Sequence, residues 1–155
     1  MAYCIEGDRQ LSAQPHPSDD SSMTAYFIAL YTYQGEHLFG DVFNGAVQLN
    51  ANGQIIHSHW LALPHQHPDL QLDTFIVAPD GVRGILFLEP ATSPQCSSIA
   101  EILEDFKSHS SHRISGIYPR GDLPLWQRNA CCLTIRNDTS LQILRYYMEV
   151  STSLE

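Results

Sequence analysis

Large apolar residues first gather at Thr24, where the run AYFIALYTY mixes aromatic, aliphatic and β-branched side chains in the manner of a strand. The segment DVFNGAVQL then sets two short apolar runs around Asn44-Gly45. Both of those residues tolerate positive φ, so the pair predicts a hairpin. Asn50 is placed to cap a helix in which Ile55, Ile56, Trp60 and Leu63 recur at helical spacing, with Pro64 as its stop. After the polar loop HQHPD, the run LQLDTFIVA reads as a strand partly covered on both faces. VRGILFLE reads as the next strand, with Asp80-Gly81 as a tight antiparallel turn between them. Ser98 and Glu101 form a capping box. Behind it Ile99, Ile102, Leu103, Phe106 and Ile114 mark an amphipathic helix to about Ile117. A loop follows, then CCLTI as a short strand, then a last helix from Asp138 to Val150 with Leu141, Leu144 and either Tyr147 or Met148 on one stripe.

This order predicts an α+β fold, a ferredoxin-like antiparallel β-sheet with helices packed on one face. Residues 1–22, rich in Ser, Asp, Pro and Gln, are expected to form a flexible leader. Residues 23–150 form a single domain, and 151–155 are a tail.

Composition narrows the classes. With 155 residues, 43% of them hydrophobic and 16% charged, the chain suits one globular domain and not a disordered segment. Its four cysteines, at positions 4, 96, 131 and 132, have neither zinc-ligand spacing nor the density of a disulfide framework. A reduced, cytoplasmic protein is expected. The N-terminus lacks the basic and apolar regions of a signal peptide. The longest apolar run, Ala25 to Tyr31, is far short of a membrane span, so no membrane partner is expected. The net charge of −9 argues against a protein that coats nucleic acid. That charge is unevenly spread. Residues 1–99 hold two basic against ten acidic residues, and 106–147 hold six basic against two.

Several segments, in order, resemble the single-tyrosine HUH transposases, most closely the REP-associated tyrosine transposase branch. Tyr26-Phe27-Ile28 with Thr32-Tyr33 resembles that family's first strand, and Leu38-Phe39-Gly40 the segment after it. Leu49-Asn50, Gly53-Gln54-Ile55 and Trp60 are similar to its first helix. Leu72 to Val77, leading into Ala78-Pro79-Asp80, matches the approach to its metal-binding strand. Phe106-Lys107-Ser108 and Arg113-Ile114 resemble its second long helix. Leu125-Trp126-Gln127-Arg128-Asn129 and Ile135-Arg136-Asn137 are the most specific matches, and Arg145-Tyr146-Tyr147-Met148 falls where the nucleophile helix lies.

The resemblance implies a mechanism and its parts. Such enzymes cut single-stranded DNA, usually beside a small hairpin, by attack of a tyrosine that becomes joined to the 5′-phosphate. A divalent metal such as Mg or Mn, held by a His-hydrophobic-His pair on a strand, polarises the phosphate. Both parts are needed, because a phenol with a pKa near about 10 is a weak nucleophile at neutral pH, and the metal neutralises charge that develops on the phosphoryl oxygens. Tyr147 matches the nucleophile, with Tyr146 as the register alternative. Lys107, Arg113, Arg128 and Arg136 match positions near DNA or in the core. Single-stranded or hairpin DNA is the partner implied, and a homodimer is a further expectation.

The chain departs from this pattern where the chemistry resides. The family strand reads Pro-Asn-His-hydrophobic-His-Gly; here it is Pro79-Asp80-Gly81-Val82-Arg83-Gly84. Gly81 has no ligand atom, and Arg83 has no lone pair to offer a metal. After Trp-Gln-Arg-Asn, the family's aromatic, acidic and histidine positions hold Ala130, Cys131, Cys132 and Leu133. The Asn-Pro after the tyrosine helix is replaced by Glu149-Val150. No cofactor is therefore expected, and Tyr147 reads either as a vestigial nucleophile or as a stripe residue packed beside Leu144.

Two further histidine pairs have i, i+2 spacing. His57 and His59 lie two apart in a predicted helix, about 200° around its axis, and cannot share an ion. His65 and His67 fall in the loop before a strand. Trp126 reads as core or as a stacking platform, and Cys131-Cys132 as buried strand residues or a thiol site. Three functions remain: a catalytically inactive transposase-like protein with residual DNA binding, an active transposase with a non-standard metal site, and a protein-binding scaffold.

Overall fold

The computed structural model describes residues 3–4, 23–89 and 98–154. In chain order the elements are β1 (Tyr3–Cys4), β2 (Thr24–Tyr31), a 3-10 turn (Tyr33–Gly35), β3 (Gly40–Phe43), β4 (Ala46–Leu49), α1 (Ala51–Leu61), α2 (Leu63–Gln66), β5 (Leu70–Ala78), β6 (Gly81–Leu88), α3 (Ile99–Ile117), β7 (Ala130–Ile135) and α4 (Asp138–Leu154). The main sheet has the order β1-β7-β2-β6-β5, and β3 and β4 form a separate two-stranded hairpin. Within the main sheet β7, β2, β6 and β5 run antiparallel to one another in that order. Of the N-terminal leader, Tyr3–Cys4 adds a short strand parallel to β7, a pairing its polar sequence did not announce; the rest lies outside the described residues.

The helices cover both faces of the sheet. This corrects the expectation of helices on one face, and the strand pleat gives the reason. On β2, Ile28 and Leu30 point into a core shared with Ile56, Trp60, Ile102 and Phe106 of α1 and α3. The alternate residues Ala25, Phe27 and Ala29 point the other way, into a core with Leu141 and Met148 of α4. A strand apolar on both faces needs cover on both.

Local chemistry sets the element ends. Asn44 and Gly45 adopt φ of 54° and 78°, so the β3–β4 hairpin turns where the sequence predicts. Asn50 caps α1 by accepting from the Gly53 amide at 2.9 Å. Ser98 and Glu101 form the reciprocal capping box of α3. Pro64 does not end the helical segment. It lies in the first turn of α2, where its missing N–H is not needed, and the break falls at Ala62. The β5–β6 turn also differs from expectation. Its two turn residues are Pro79 and Asp80, and Gly81 is already paired with Ala78 and Tyr31. The turn is held from outside: the Phe39 amide donates to the Pro79 carbonyl at 3.0 Å and the Thr32 amide to the Asp80 carbonyl at 2.9 Å.

Candidate functional site

β6 carries the positions that the resemblance matches to a metal motif. Val82 and Leu86 face the α1/α3 core, and Ile85 faces the α4 core. By the same alternation, Gly81 and Arg83 lie on the α4 face. A Cβ built on Gly81 would overlap the Leu30 carbonyl oxygen of β2. The glycine is thus required by close approach of two strands. Arg83 sits between Ala29 of β2 and Ile76 of β5 in register. Its Nε is shut off from solvent with no hydrogen-bond partner among the described residues.

These residues do not fit a metal. Neither has a donor atom, and the backbone at Gly81 leaves no room for a side chain that would bring one. Among the described residues no group of three or more His, Cys, Asp or Glu side chains could hold an ion. His57 and His59 lie on α1. His59 is half-buried, and burial, with Arg113 and His109 adding to it, pushes its pKa below the ordinary histidine value. His65 and His67 are not loop residues as expected: His65 is in α2 and His67 caps it. His67 is buried, with its Nε2 at 3.7 Å from the Asp105 carboxylate of α3.

α4 settles which residue fills its stripe. Met148 is completely buried, whereas Tyr147 is 47% exposed and Tyr146 68% exposed. The reading of Tyr147 as a core residue beside Leu144 is therefore corrected: Met148 takes that place, and both phenols reach solvent. Arg145, one turn before, grips Asp73 of the edge strand β5 with two hydrogen bonds of 2.9 and 2.8 Å. Burial alone would raise the Asp73 pKa, but the hydrogen bonds from Arg145 and Thr74 and the arginine's charge outweigh it and hold the carboxyl below its ordinary value. A depressed carboxylate pKa stabilises the fold above its unfolded value, and that contribution is lost as pH falls through the folded one. Asp73→Asn is expected to flatten the loss of stability as pH falls below about 5 and through the ordinary carboxylate value, measured as the change in urea midpoint.

The four basic residues expected near DNA do not share one face. Lys107 of α3 and Arg128 of the following loop come together: the buried Lys107 ammonium donates to the Arg128 carbonyl at 3.3 Å. Both line a cavity of about 310 Å³ between α3 and the 120–128 loop. Burial lowers the Lys107 pKa, partly opposed by Glu104. Arg113 opens instead onto a second cavity of about 270 Å³, between α1 and α3. Arg136 follows the end of β7 that pairs with Ala25, at the opposite end of the sheet from Gly81. Trp126 is core, 5% exposed, with its indole N–H donating to Ser110 Oγ at 3.0 Å. Cys132 is buried and Cys131 half-buried, both as thiols.

Sequence reasoning missed three contributors to the larger cavity. Arg120 is bound to Glu36 at 2.7 Å, a pairing across 84 residues that no local pattern reveals. Ser108 and Ser111 also line the cavity. Their i, i+3 spacing on a helix was legible as one face.

No family model matches the chain. A protein of uncharacterised function from Haemophilus influenzae is 27% identical over 142 residues, covering 78% of this chain and 76% of its own. A protein from Deinococcus radiodurans R1 named as a transposase superposes with a TM-score of 0.56 at 18% identity, over 89% of this chain and 97% of its own. A REP-associated tyrosine transposase, solved bound to a REP hairpin, superposes with a TM-score of 0.61 at 14% identity, over 90% of this chain and 72% of its own. No helix among the described residues is long and apolar enough to cross a membrane. The fold of this chain is that of the HUH-type tyrosine transposases, the family its sequence resembles.

Proposed function

We propose that this protein is a degenerate member of the REP-associated tyrosine transposase branch that no longer cleaves DNA and retains weak binding to single-stranded or hairpin DNA. One observation carries the loss of cleavage. At the two strand positions where such enzymes need imidazoles stand Gly81, which has no space for a Cβ, and Arg83, which cannot ligate a metal. Exposed Tyr147 then lacks the Lewis acid that would make a phenol competent against a phosphodiester. The meeting of Lys107, Arg120 and Arg128 around one cavity supports residual DNA binding. The sparse cysteines, present as thiols where described, suit action in the cytoplasm.

The test is a labelled hairpin oligonucleotide incubated with the full chain and Mg or Mn. The expected result is no cleavage, with binding that weakens steeply as salt is raised from about 50 mM. Cleavage that disappears in Tyr147→Phe overturns the inactive reading. Absence of binding at about 50 mM salt overturns the DNA reading and leaves a protein-binding scaffold.

A further inference from the structure

The cavity beside α3 has a charge opposite to that of the chain. Lys107, Arg120 and Arg128 against Glu104 give its lining a net +2, three positive charges less one, in a protein of −9. A concave, low-dielectric wall focuses such a field on whatever enters. The cations have different duties. Arg120 gives one terminal nitrogen to both Glu36 and the Pro124 carbonyl, its Nε is buried with no partner among the described residues, and its charge is largely met by the Glu36 carboxylate. Lys107 is 8% exposed and anchors the Arg128 backbone. Arg128 is exposed, and its guanidinium has no ion pair or hydrogen bond among the described residues. Ser108 and Ser111 add two hydroxyls that no described group engages. The opposite wall, residues 123–126, is apolar. Its volume lies at the lower end of small-ligand pockets.

Arginine, lysine and serine hydroxyls are the groups that contact nucleic-acid phosphates, and an apolar wall suits a sugar or base. We propose that this cavity binds the phosphate of one nucleotide, held by Arg128 and Lys107 and hydrogen-bonded by Ser108 and Ser111. That phosphate comes either from the 5′ end of a DNA strand or from a free nucleotide. The strand-end source rests on the DNA-handling reading above.

The test measures binding to the full chain of a short single-stranded oligonucleotide with and without a 5′-phosphate, and separately of deoxyadenosine monophosphate and deoxyadenosine. Hydrogen bonds to a charged group predict that the phosphorylated form of each pair binds about tenfold tighter. Arg128→Ala, at an exposed position that should leave the melting temperature unchanged, brings that ratio close to one. Ser111→Ala reduces it by less. If deoxyadenosine monophosphate binds, loses affinity in Arg128→Ala, and neither oligonucleotide binds, the cavity stands with a free nucleotide as its ligand and the DNA reading falls. If both oligonucleotides bind equally and the monophosphate does not bind, the cavity proposal is overturned while the DNA reading survives. Discrimination that persists in Arg128→Ala also overturns it, and no binding by any probe overturns both.

Discussion

Trp60→Ala is expected to cost about 3–5 kcal/mol of folding stability, the range for removing a large buried aromatic. Trp60 has no solvent exposure and belongs to an aromatic row on the α1/α3 face of the sheet. Its ring stacks on Phe75 of β5 at 5.9 Å and meets Phe106 of α3 edge-on at 5.3 Å. Phe106 in turn lies 5.8 Å from Trp126, which is 5.4 Å from Phe39. Below the indole lies Gly84. A Cβ there would come within 2.8 Å of Trp60 and 2.7 Å of Phe75. The glycine makes the slot and the tryptophan fills it, so truncation leaves a cavity that rigid strands cannot close. The indole N–H is buried without a partner among the described residues. Trp60→Phe removes that uncompensated donor and keeps most of the ring, so it is expected to lose under about 1.5 kcal/mol. Urea denaturation of the two variants checks both values. A Trp60→Ala variant within about 1 kcal/mol of wild type contradicts the packing described.

The second large effect concerns restoration. Gly81→His with Arg83→His recreates the family's ligand pair in sequence, yet it is expected to yield a destabilised protein with no Mn affinity gained. The reason is steric. The new Cβ at position 81 meets the backbone oxygen of Leu30, which belongs to the central strand β2 and is itself completely packed. A backbone atom in the middle of a sheet cannot give way as a side-chain tip can. Overpacking of this kind costs about 3 kcal/mol or more. Arg83→His alone, at a half-buried position with ordinary strand pairing, is expected to be tolerated. Calorimetric titration with Mn and a urea midpoint for each variant separate the two positions. A double variant that keeps wild-type stability and binds Mn would show that only the side chains, and not the backbone, had changed.

Much of the fold was legible because local rules agreed with the global arrangement. Asn44-Gly45 is a hairpin turn because both residues accept positive φ. Ser98 and Glu101 start α3 through a local reciprocal cap. Two readings failed where a distant group intervened. Dipeptide preference puts the β5–β6 turn at Asp80-Gly81. The amides of Thr32 and Phe39, far along the chain, instead fix Pro79 and Asp80 as the turn. Tyr147 and Met148 were equal candidates for the α4 stripe by periodicity, and only the position of the sheet under the helix selects Met148.

The candidate site divides in the same way. That Gly81 and Arg83 offer no metal donor follows from side-chain chemistry alone. Residue order alone also exposed the basic bias of 106–147 inside an acidic chain. Three-dimensional packing decided the rest. It separates Arg113 and Arg136 from Lys107 and Arg128, and brings Arg120 to the Lys107 cavity through a bond to Glu36. It also brings the Leu30 carbonyl to where a Cβ on Gly81 would stand. Donor atoms and turn preferences belong to single residues and their neighbours, so sequence states them. Which charges share a cavity, and how closely two strands approach, depend on contacts between residues far apart in the chain, and only the folded structure sets those.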